Sequence, residues 1–301
     1  MTAVMSTEQY KGSRWADLGL FYAAAIWGTT FFIVKDALAQ VDPIALVAYR
    51  FLIAGAVLLA YCLFTRRPLR PALWPGTVLG IIIFFLYVPQ TVGLSFTTAS
   101  NSGFITGMFV AFVPLFMYTI FRRKPSWLDI AASAVALAGL WILTGGMHDV
   151  NTGDLLTVVA AVTYALHVLY SDHYMKADID PYVLACLQFL IVGVMSVAAC
   201  LILGKPFAVG TWEVGGVILF LALFPTLSAF LIQLLAQRVT APVKVSLIFS
   251  LEPVFAAAFA WTIGGEAVVL HRALGGLVIF AALVLASFSS PGKVKEPLRA
   301  T

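Results

Sequence analysis

One phrase occurs twice in this sequence and constrains the fold more than any single residue. Asp42-Pro43 recurs 138 positions later as Asp180-Pro181, and in each copy six further residues precede a second matching run. The two runs are Arg50-Phe51-Leu52-Ile53-Ala54-Gly55 and Gln188-Phe189-Leu190-Ile191-Val192-Gly193. Both copies open a long apolar segment. The chain is therefore predicted to be one unit repeated, an organisation typical of membrane transporters, whose two halves rock about a site between them.

The composition places this repeat in a membrane. Hydrophobic residues make up 61% of the chain and charged residues 11%, whereas soluble domains carry about 25% charged residues. This excludes a soluble domain of any size, and the net charge of +4 is explained by topology without a nucleic-acid partner. The three cysteines have no metal-type spacing and predict neither a disulfide nor a metal site. Residues 1–17 and 291–301 are polar and are predicted to be disordered cytoplasmic tails.

Ten apolar stretches each have about the 20 residues that a helix needs to cross the bilayer. The first is predicted to be retained as a helix and not cleaved as a signal peptide. Lys and Arg concentrate in alternate loops, so the positive-inside rule places both termini in the cytoplasm. The predicted spans are 18–38, 44–64, 75–95, 101–121, 128–146, 153–172, 182–203, 214–236, 243–263 and 271–290.

The repeat extends over the whole membrane region. Matched pairs lie between 136 and 142 positions apart. They are Trp27 with Tyr164, Pro89 with Pro225, Thr98 with Thr240, Pro114 with Pro253 and Gly139 with Gly276. The predicted units are 18–146 and 153–290, with five helices each. Because five is odd, the second unit is inverted relative to the first, and the expected site lies near the midplane around a central cavity.

Several of these residues also resemble a known family. Trp27-Gly28-Thr29-Thr30-Phe31, the Pro43 and Arg50-Phe51 pairing, Glu252-Pro253, Gly265-Glu266 and Gly275-Gly276-Leu277 are similar to the signature of the drug/metabolite transporter superfamily, EamA type. The resemblance covers about residues 15–290. It implies a ten-helix bundle in a bacterial inner membrane that exports amino acids or other small metabolites, most like bacterial aromatic amino-acid exporters. In the first copy, Arg122-Arg123-Lys124-Pro125 stands where family members commonly have a Gly-Glu pair.

Polar and aromatic side chains inside the spans are the candidates for binding the substrate. Trp27 and Thr30 share a face of the first span, and Tyr164 and His167 occupy the matching positions of the sixth. Arg50 has Gln188 as its counterpart, so the shared fold does not demand its charge. Packing of the aromatic rings and snorkelling of Arg50 are the structural alternatives. The predicted substrate-binding residues are Trp27, Thr30, Arg50, Tyr87, Gln90, Asn101, Tyr164 and His167.

Two side chains are candidates for proton coupling. Glu252 lies near mid-depth directly before Pro253, which loosens the helix there, and His167 is the second candidate. For both, a hydrogen bond that only stabilises helix packing is the alternative. The prolines that the repeat pairs, Pro89, Pro114, Pro225 and Pro253, are the predicted hinges.

Other function classes fit the sequence less well. Aspartate-rich motifs, His-Glu-x-x-His, Gly-x-Ser-x-Gly and a phosphate-binding glycine loop are all missing, which argues against a membrane-embedded enzyme. Neither a metal nor another cofactor is expected. Drugs and nucleotide sugars stay as alternative cargo, although phosphorylated cargo needs more than the one cation Arg50. The expected partners are a small-molecule substrate and the lipid bilayer, and one monomer can enclose the cavity.

Overall fold

The computed structural model describes residues 7–146, 150–262 and 268–288. Within these residues it contains ten apolar helical segments long enough to cross a membrane and no β-strand. This confirms the predicted all-α fold with ten spans. The tail 291–301 and Gly265-Glu266 lie outside the described residues. The spans, numbered 1 to 10 in chain order, are Arg14–Ala37, Pro43–Phe64, Arg70–Leu94, Ala99–Thr119, Trp127–Thr144, Thr152–Lys176, Pro181–Ile202, Trp212–Gln237, Pro242–Phe259 and Leu270–Ser287.

The repeated Asp-Pro pair begins spans 2 and 7 in the same way. The Asp42 carboxylate accepts hydrogen bonds from the amides of Ile44 and Ala45, and Asp180 does so for Tyr182 and Val183. In both, proline follows at the first helical position, where a missing N–H costs nothing. The sequence repeat is therefore a repeat of helix N-caps.

The first helix begins earlier than predicted. It runs from Thr7 to Gly28, so residues 7–17 are helical and do not belong to a disordered tail. An ion pair of 2.7 Å between Asp17 and Lys244 of span 9 ties this extension to the bundle. The tail prediction was wrong here because it treated polar residues as unstructured.

Four spans are not continuous α-helices. Span 1 is divided at Thr29, between helices Thr7–Gly28 and Thr30–Ala37, and span 4 at Met108, between Ala99–Gly107 and Phe109–Thr119. Span 9 is divided between Pro242–Phe249 and Glu252–Thr262. Span 8 contains a π-helical turn, Ala222–Ser228, between helices Trp212–Leu221 and Ala229–Gln237. Such interruptions are common at functional sites.

Helix packing brings the two copies of the repeated phrase against each other. A Cβ on Gly55 would lie 2.8 Å from Leu190, and one on Gly193 would lie 2.6 Å from Leu52. The rings of Phe51 and Phe189 are 5.7 Å apart. Spans 2 and 7 thus make a reciprocal contact, in which the glycine of each span packs against the leucine of the other. Reciprocal contacts of this kind are the mark of a two-fold relation.

Glycines determine how closely several other helices approach. A Cβ on Gly76 would lie 2.5 Å from Leu187 of span 7, and one on Gly80 would lie 2.6 Å from Ile191. A Cβ on Gly139 would lie 2.9 Å from the carbonyl oxygen of Gly275, where spans 5 and 10 cross. Gly103 differs, because a Cβ there would meet no atom within 4 Å. It therefore borders open space and does not serve close packing.

Ion pairs concentrate at one end of the bundle. We call this the basic end; it is formed by the turns at residues 65–69, 120–126, 177–180 and 238–241. The turns at 38–42, 95–98 and 203–211 form the opposite, far end. Three ion pairs at the basic end join the first half of the chain to the second: Arg67 with Asp180, Arg123 with Asp172 at 2.8 Å, and Asp17 with Lys244. We call these three pairs the latch.

Candidate functional site: a central cavity between the two halves

A central cavity lies between helices from both halves of the chain. It extends from the middle of the bundle toward the far end and leaves about 40 Å³ for the centres of water molecules, room for a few waters only. Six of its lining residues were predicted from the sequence as binding residues: Trp27, Thr30, Arg50, Tyr87, Gln90 and Tyr164. The carboxylate-bearing Glu252 lines it too. The other lining residues are Phe31, Val34, Leu86, Thr91, Leu94, Thr106 and Phe230.

A layer of aromatic rings closes the cavity on the side of the basic end. Phe230 is its centre, with ring centroids 5.2 Å from Trp27, 5.9 Å from Tyr87 and 5.4 Å from His167. Phe109 stacks on Tyr164 at 4.1 Å. The sequence did not single out Phe230, since one of the chain's 23 phenylalanines, lying in an apolar span, carries no distinguishing signal.

Arg50 brings a positive charge to the wall of the cavity. The side chain is 3% exposed, its Nε donates a hydrogen bond to Thr226 Oγ1 at 2.9 Å, and its guanidinium lies 4.8 Å from the centroid of the Tyr87 ring. Thr226 belongs to the π-helical turn and donates to the carbonyl of Leu221. Arg50 therefore does not snorkel to an interface; it is held inside the bundle by span 8.

Glu252 brings a carboxyl group to the same cavity from span 9. It is 6% exposed, and one carboxylate oxygen accepts a hydrogen bond from the Tyr164 hydroxyl at 3.0 Å. It begins the helix Glu252–Thr262, directly after the break in span 9. The backbone carbonyl of Glu252 faces Gly28, where a Cβ would approach to 2.5 Å.

Neutral polar groups complete the wall. Gln90 donates to Thr106 Oγ1 at 2.8 Å, joining spans 3 and 4, and Thr30 donates to the carbonyl of Trp27. The Trp27 indole N–H donates to the carbonyl of Pro225 at 2.6 Å, inside the π-helical turn. At the far end, the Lys35 ammonium donates to the carbonyls of Leu94 and Thr97. The wall thus combines aromatic surface, hydroxyls and an amide with one guanidinium and one carboxyl group.

Two predicted binding residues do not line this cavity. Asn101 is 6% exposed near the start of span 4 and is not among the residues that line the cavity. His167 lies behind Phe230, fully buried, with Nε2 at 3.3 Å from Gln188 Oε1 and 3.4 Å from Ser171 Oγ. Sequence spacing placed His167 on the same helix face as Tyr164 and therefore predicted that it lines the cavity. His167 lies three residues further along span 6, however, and this puts it below the aromatic layer.

His167 belongs instead to a polar seam in the half of the bundle near the basic end. We define the seam as five fully buried side chains of spans 6, 7 and 8. They are His167, Ser171, Gln188, Gln233 and Gln237. Gln233 donates to Gln237, and Gln237 donates to the carbonyl of Val168. Three seam atoms have no hydrogen-bond partner among the described residues: His167 Nδ1, Gln188 Nε2 and Gln233 Oε1.

The four predicted hinge prolines lie in three different settings. Pro253 follows the break in span 9, and Pro225 lies in the π-helical turn. Pro89 and Pro114 lie inside helices Leu73–Leu94 and Phe109–Thr119. The break in span 4 is at Met108, not at Pro114. Local geometry therefore favours Pro225 and Pro253 over their counterparts as positions where the chain bends.

The fold resembles that of a solved crystal structure, with a TM-score of 0.77 over 90% of this chain and 95% of the other, at 21% identity. In sequence, an uncharacterized transporter of Archaeoglobus fulgidus is 32% identical over 283 residues, covering 91% of this chain and 86% of its own. The uncharacterized inner membrane transporter YedA of Escherichia coli K12 is 28% identical over 289 residues, covering 88% and 89%.

A third relative has a named cargo. The S-adenosylmethionine/S-adenosylhomocysteine transporter of Chlamydia trachomatis is 31% identical over 138 residues, covering 44% of this chain and 42% of its own. The family model of the EamA-like transporter family matches the chain twice, at residues 14–145 and 151–288. With ten membrane-spanning helices and this match over almost its whole length, the chain is a multi-pass membrane transporter and belongs to the EamA-like transporter family.

Proposed function

We propose that this transporter exports small metabolites, above all amino acids including aromatic ones, across the bacterial inner membrane by alternating access. One observation carries the proposal: a cavity with aromatic and charged walls lies between the two halves, toward the far end, and is closed toward the basic end. Both halves contribute lining residues, namely Trp27 and Arg50 from the first half and Tyr164 and Glu252 from the second. A site shared in this way changes shape when the halves move against each other.

The closed end supports the alternating-access part of the proposal. The three ion pairs of the latch cross between the halves at the basic end. The hydrogen bond to Asp180 raises the pKa of the Arg67 guanidinium, as expected for a cation that its partner stabilises. All five ion pairs found between two described side chains lie at the basic end. Opening the basic end requires these pairs to break, and the positive-inside rule assigns that end to the cytoplasm.

The polar seam supports the same motion. Buried polar atoms without partners are costly in a membrane protein, and they are tolerated where they line a water-filled path. The seam lies directly behind Phe230, between the cavity and the basic end. When the latch opens and Phe230 moves aside, water reaches these side chains and satisfies them. The seam is thus the inner half of the proposed solute path.

Amino acids suit the cavity better than the alternative cargo. Aromatic walls offer flat apolar surface with polar tips, which suits a small apolar side chain beside a polar head group. Nucleotide sugars carry several negative charges, whereas Arg50 is the only cation among the lining residues. The named cargo of the Chlamydia relative supports a small organic solute in general.

Glu252 is the proposed site of proton coupling. It faces Tyr164 of span 6 and shares the cavity with Tyr87 of span 3 and Arg50 of span 2, and among the described residues it has no ion-pair partner. His167 does not line the cavity and is not proposed for this role. An inward proton gradient is expected to accelerate export through wild type, and Glu252→Gln is expected to remove the acceleration.

Counterflow in proteoliposomes tests the function directly. Purified protein is reconstituted, and labelled phenylalanine is exchanged against unlabelled amino acids, a nucleotide sugar and a cationic drug. We expect amino acids to drive exchange and the other two to fail, with empty liposomes as the control. Exchange driven by the nucleotide sugar or the drug, and not by any amino acid, would replace the proposed cargo.

A further inference from the structure

A guanidinium and a carboxyl group line the central cavity without forming an ion pair with each other. Arg50 and Glu252 are both almost fully buried, and among the described residues no ion pair includes either of them. A buried charge inside a membrane protein is expensive and is usually paired or functional. The five ion pairs that the described residues do form involve other side chains, all at the basic end. The cavity therefore contains one basic and one acidic side chain, and neither of them takes part in these ion pairs.

Each charged group is positioned by a partner that leaves binding capacity free. Arg50 uses Nε for Thr226 and rests against the Tyr87 ring, and a guanidinium has four further N–H donors on its two terminal nitrogens. Those two nitrogens match the two oxygens of a carboxylate in a bidentate pair. Glu252 uses one oxygen for the Tyr164 hydroxyl, and a carboxylate can accept from several donors at once. An ammonium group is the complementary ligand.

We infer that Arg50 and Glu252 form a binding site for a zwitterion, with the substrate carboxylate on Arg50 and its ammonium on Glu252. The inference rests on the transport function proposed above and narrows its cargo to solutes that carry both charges. The substrate replaces the missing ion pair on each side, and its apolar part lies against Trp27, Phe31 and Leu86. The present cavity admits only a few waters, so binding separates the walls and starts the conformational change.

Three matched solutes test the inference by competition against labelled phenylalanine in counterflow. Phenylalanine carries both charges, its amide lacks the carboxylate, and 3-phenylpropanoate lacks the ammonium group. Wild type is expected to prefer phenylalanine over either analogue by about tenfold or more, because each analogue leaves one buried charge unpaired. Arg50→Gln should lose the preference over the amide only. Glu252→Gln should lose the preference over 3-phenylpropanoate only.

Controls separate recognition from folding. Gln188 occupies the position of Arg50 in the second half, so glutamine suits this place in the repeat, and Arg50→Lys keeps the charge if Arg50→Gln fails to fold. Arg238→Gln removes an exposed guanidinium and should leave all preferences intact. If wild type exchanges phenylalanine but takes both analogues equally well, the zwitterion site is refuted while amino-acid export stands. If wild type exchanges no amino acid, both proposals fail.

Discussion

At the scale of single residues, the contact between Gly28 and the backbone of Glu252 connects the fold most directly to the site. Span 1 approaches span 9 so closely that a Cβ on Gly28 would lie 2.5 Å from the Glu252 carbonyl oxygen and 3.1 Å from the Ala256 nitrogen. Only glycine allows this approach. The contact sets the position of Glu252 relative to Trp27, which adjoins Gly28 and lines the same cavity.

We predict that Gly28→Ala separates spans 1 and 9 and destabilises the protein by about 1–3 kcal/mol, the usual range for overpacking. Gly103→Ala is the matched control. It adds the same methyl group inside a helix where no atom lies within 4 Å, so it should be neutral or stabilising by up to about 1 kcal/mol. Thermal unfolding in detergent measures both. Equal losses in the two variants would contradict the close-contact account.

Sequence patterns identified the site residues whose chemistry stands out in hydrocarbon. Arg50, Gln90 and Glu252 are rare residue types in spans, and all three line the cavity. His167 is equally rare but lies below the aromatic layer, because helical phase alone does not give the depth of the cavity. Phe230 could not be predicted at all, since its role comes from the partners that span 8 brings to it.

At the scale of helices, Asp180 serves two structures at once. One carboxylate oxygen caps span 7 through the amides of Tyr182 and Val183, and the other pairs with Arg67 in the latch. Its counterpart Asp42 caps span 2 in the same manner, and among the described residues it forms no ion pair. Comparing substitutions at Asp42 and Asp180 therefore separates the effect of losing an N-cap from the effect of losing the ion pair of the latch.

We predict that Asp180→Asn keeps the cap and weakens the latch, whereas Asp180→Ala loses both. Asp180→Ala should cost about 1 kcal/mol more than Asp180→Asn in thermal unfolding, the usual value of an N-cap. Asp42→Asn, the control, should change neither stability nor transport. The latch is followed by the rate of counterflow, which should change in Asp180→Asn. Identical behaviour of the two asparagine variants would refute the latch role of Asp180.

The broken spans could be predicted only in part. Proline marks the break at Pro253 and the π-helical turn at Pro225, as its missing N–H leads one to expect. The breaks at Thr29 and Met108 have no proline within their turns. Hydroxyl groups contribute at the first of these, because Thr29 and Thr30 each donate to a carbonyl three residues earlier. These hydroxyls compete with backbone amides for the carbonyl oxygens of the helix. This competition cannot be read from a hydropathy pattern.

At the scale of the whole molecule, the bundle is asymmetric, as the proposed alternating-access export requires of any single conformation. The cavity faces the far end, and the latch, the aromatic layer and the polar seam occupy the half near the basic end. Hydropathy and the repeat predicted the ten helices and a central cavity. Which end is closed could not be predicted, because both conformations have to be compatible with one sequence.

We predict that the seam becomes wet during turnover. In a variant without Cys62, Cys186 and Cys200, which are buried free thiols, Gln233→Cys should react with a membrane-impermeant maleimide several-fold faster when substrate is exchanging. The reagent is added at the basic end. Ala132→Cys is the control, since Ala132 is fully buried at similar depth in span 5, lies outside the seam and has no polar side-chain atom. Equal labelling of both, with or without substrate, would exclude the seam as a path.

The contact between the two copies of the repeated phrase has a thermodynamic consequence. Leu52 packs on Gly193 and Leu190 on Gly55, so exchanging the conformations of the two halves maps this contact onto itself. In the proposed alternating-access cycle, the inward-open and outward-open forms then share this contact. A substitution there is expected to weaken both forms to a similar extent and to change their populations little. A substitution in the latch is expected to weaken only the form that is closed at the basic end, so the balance between the two forms is set at the ends of the bundle and not at its centre.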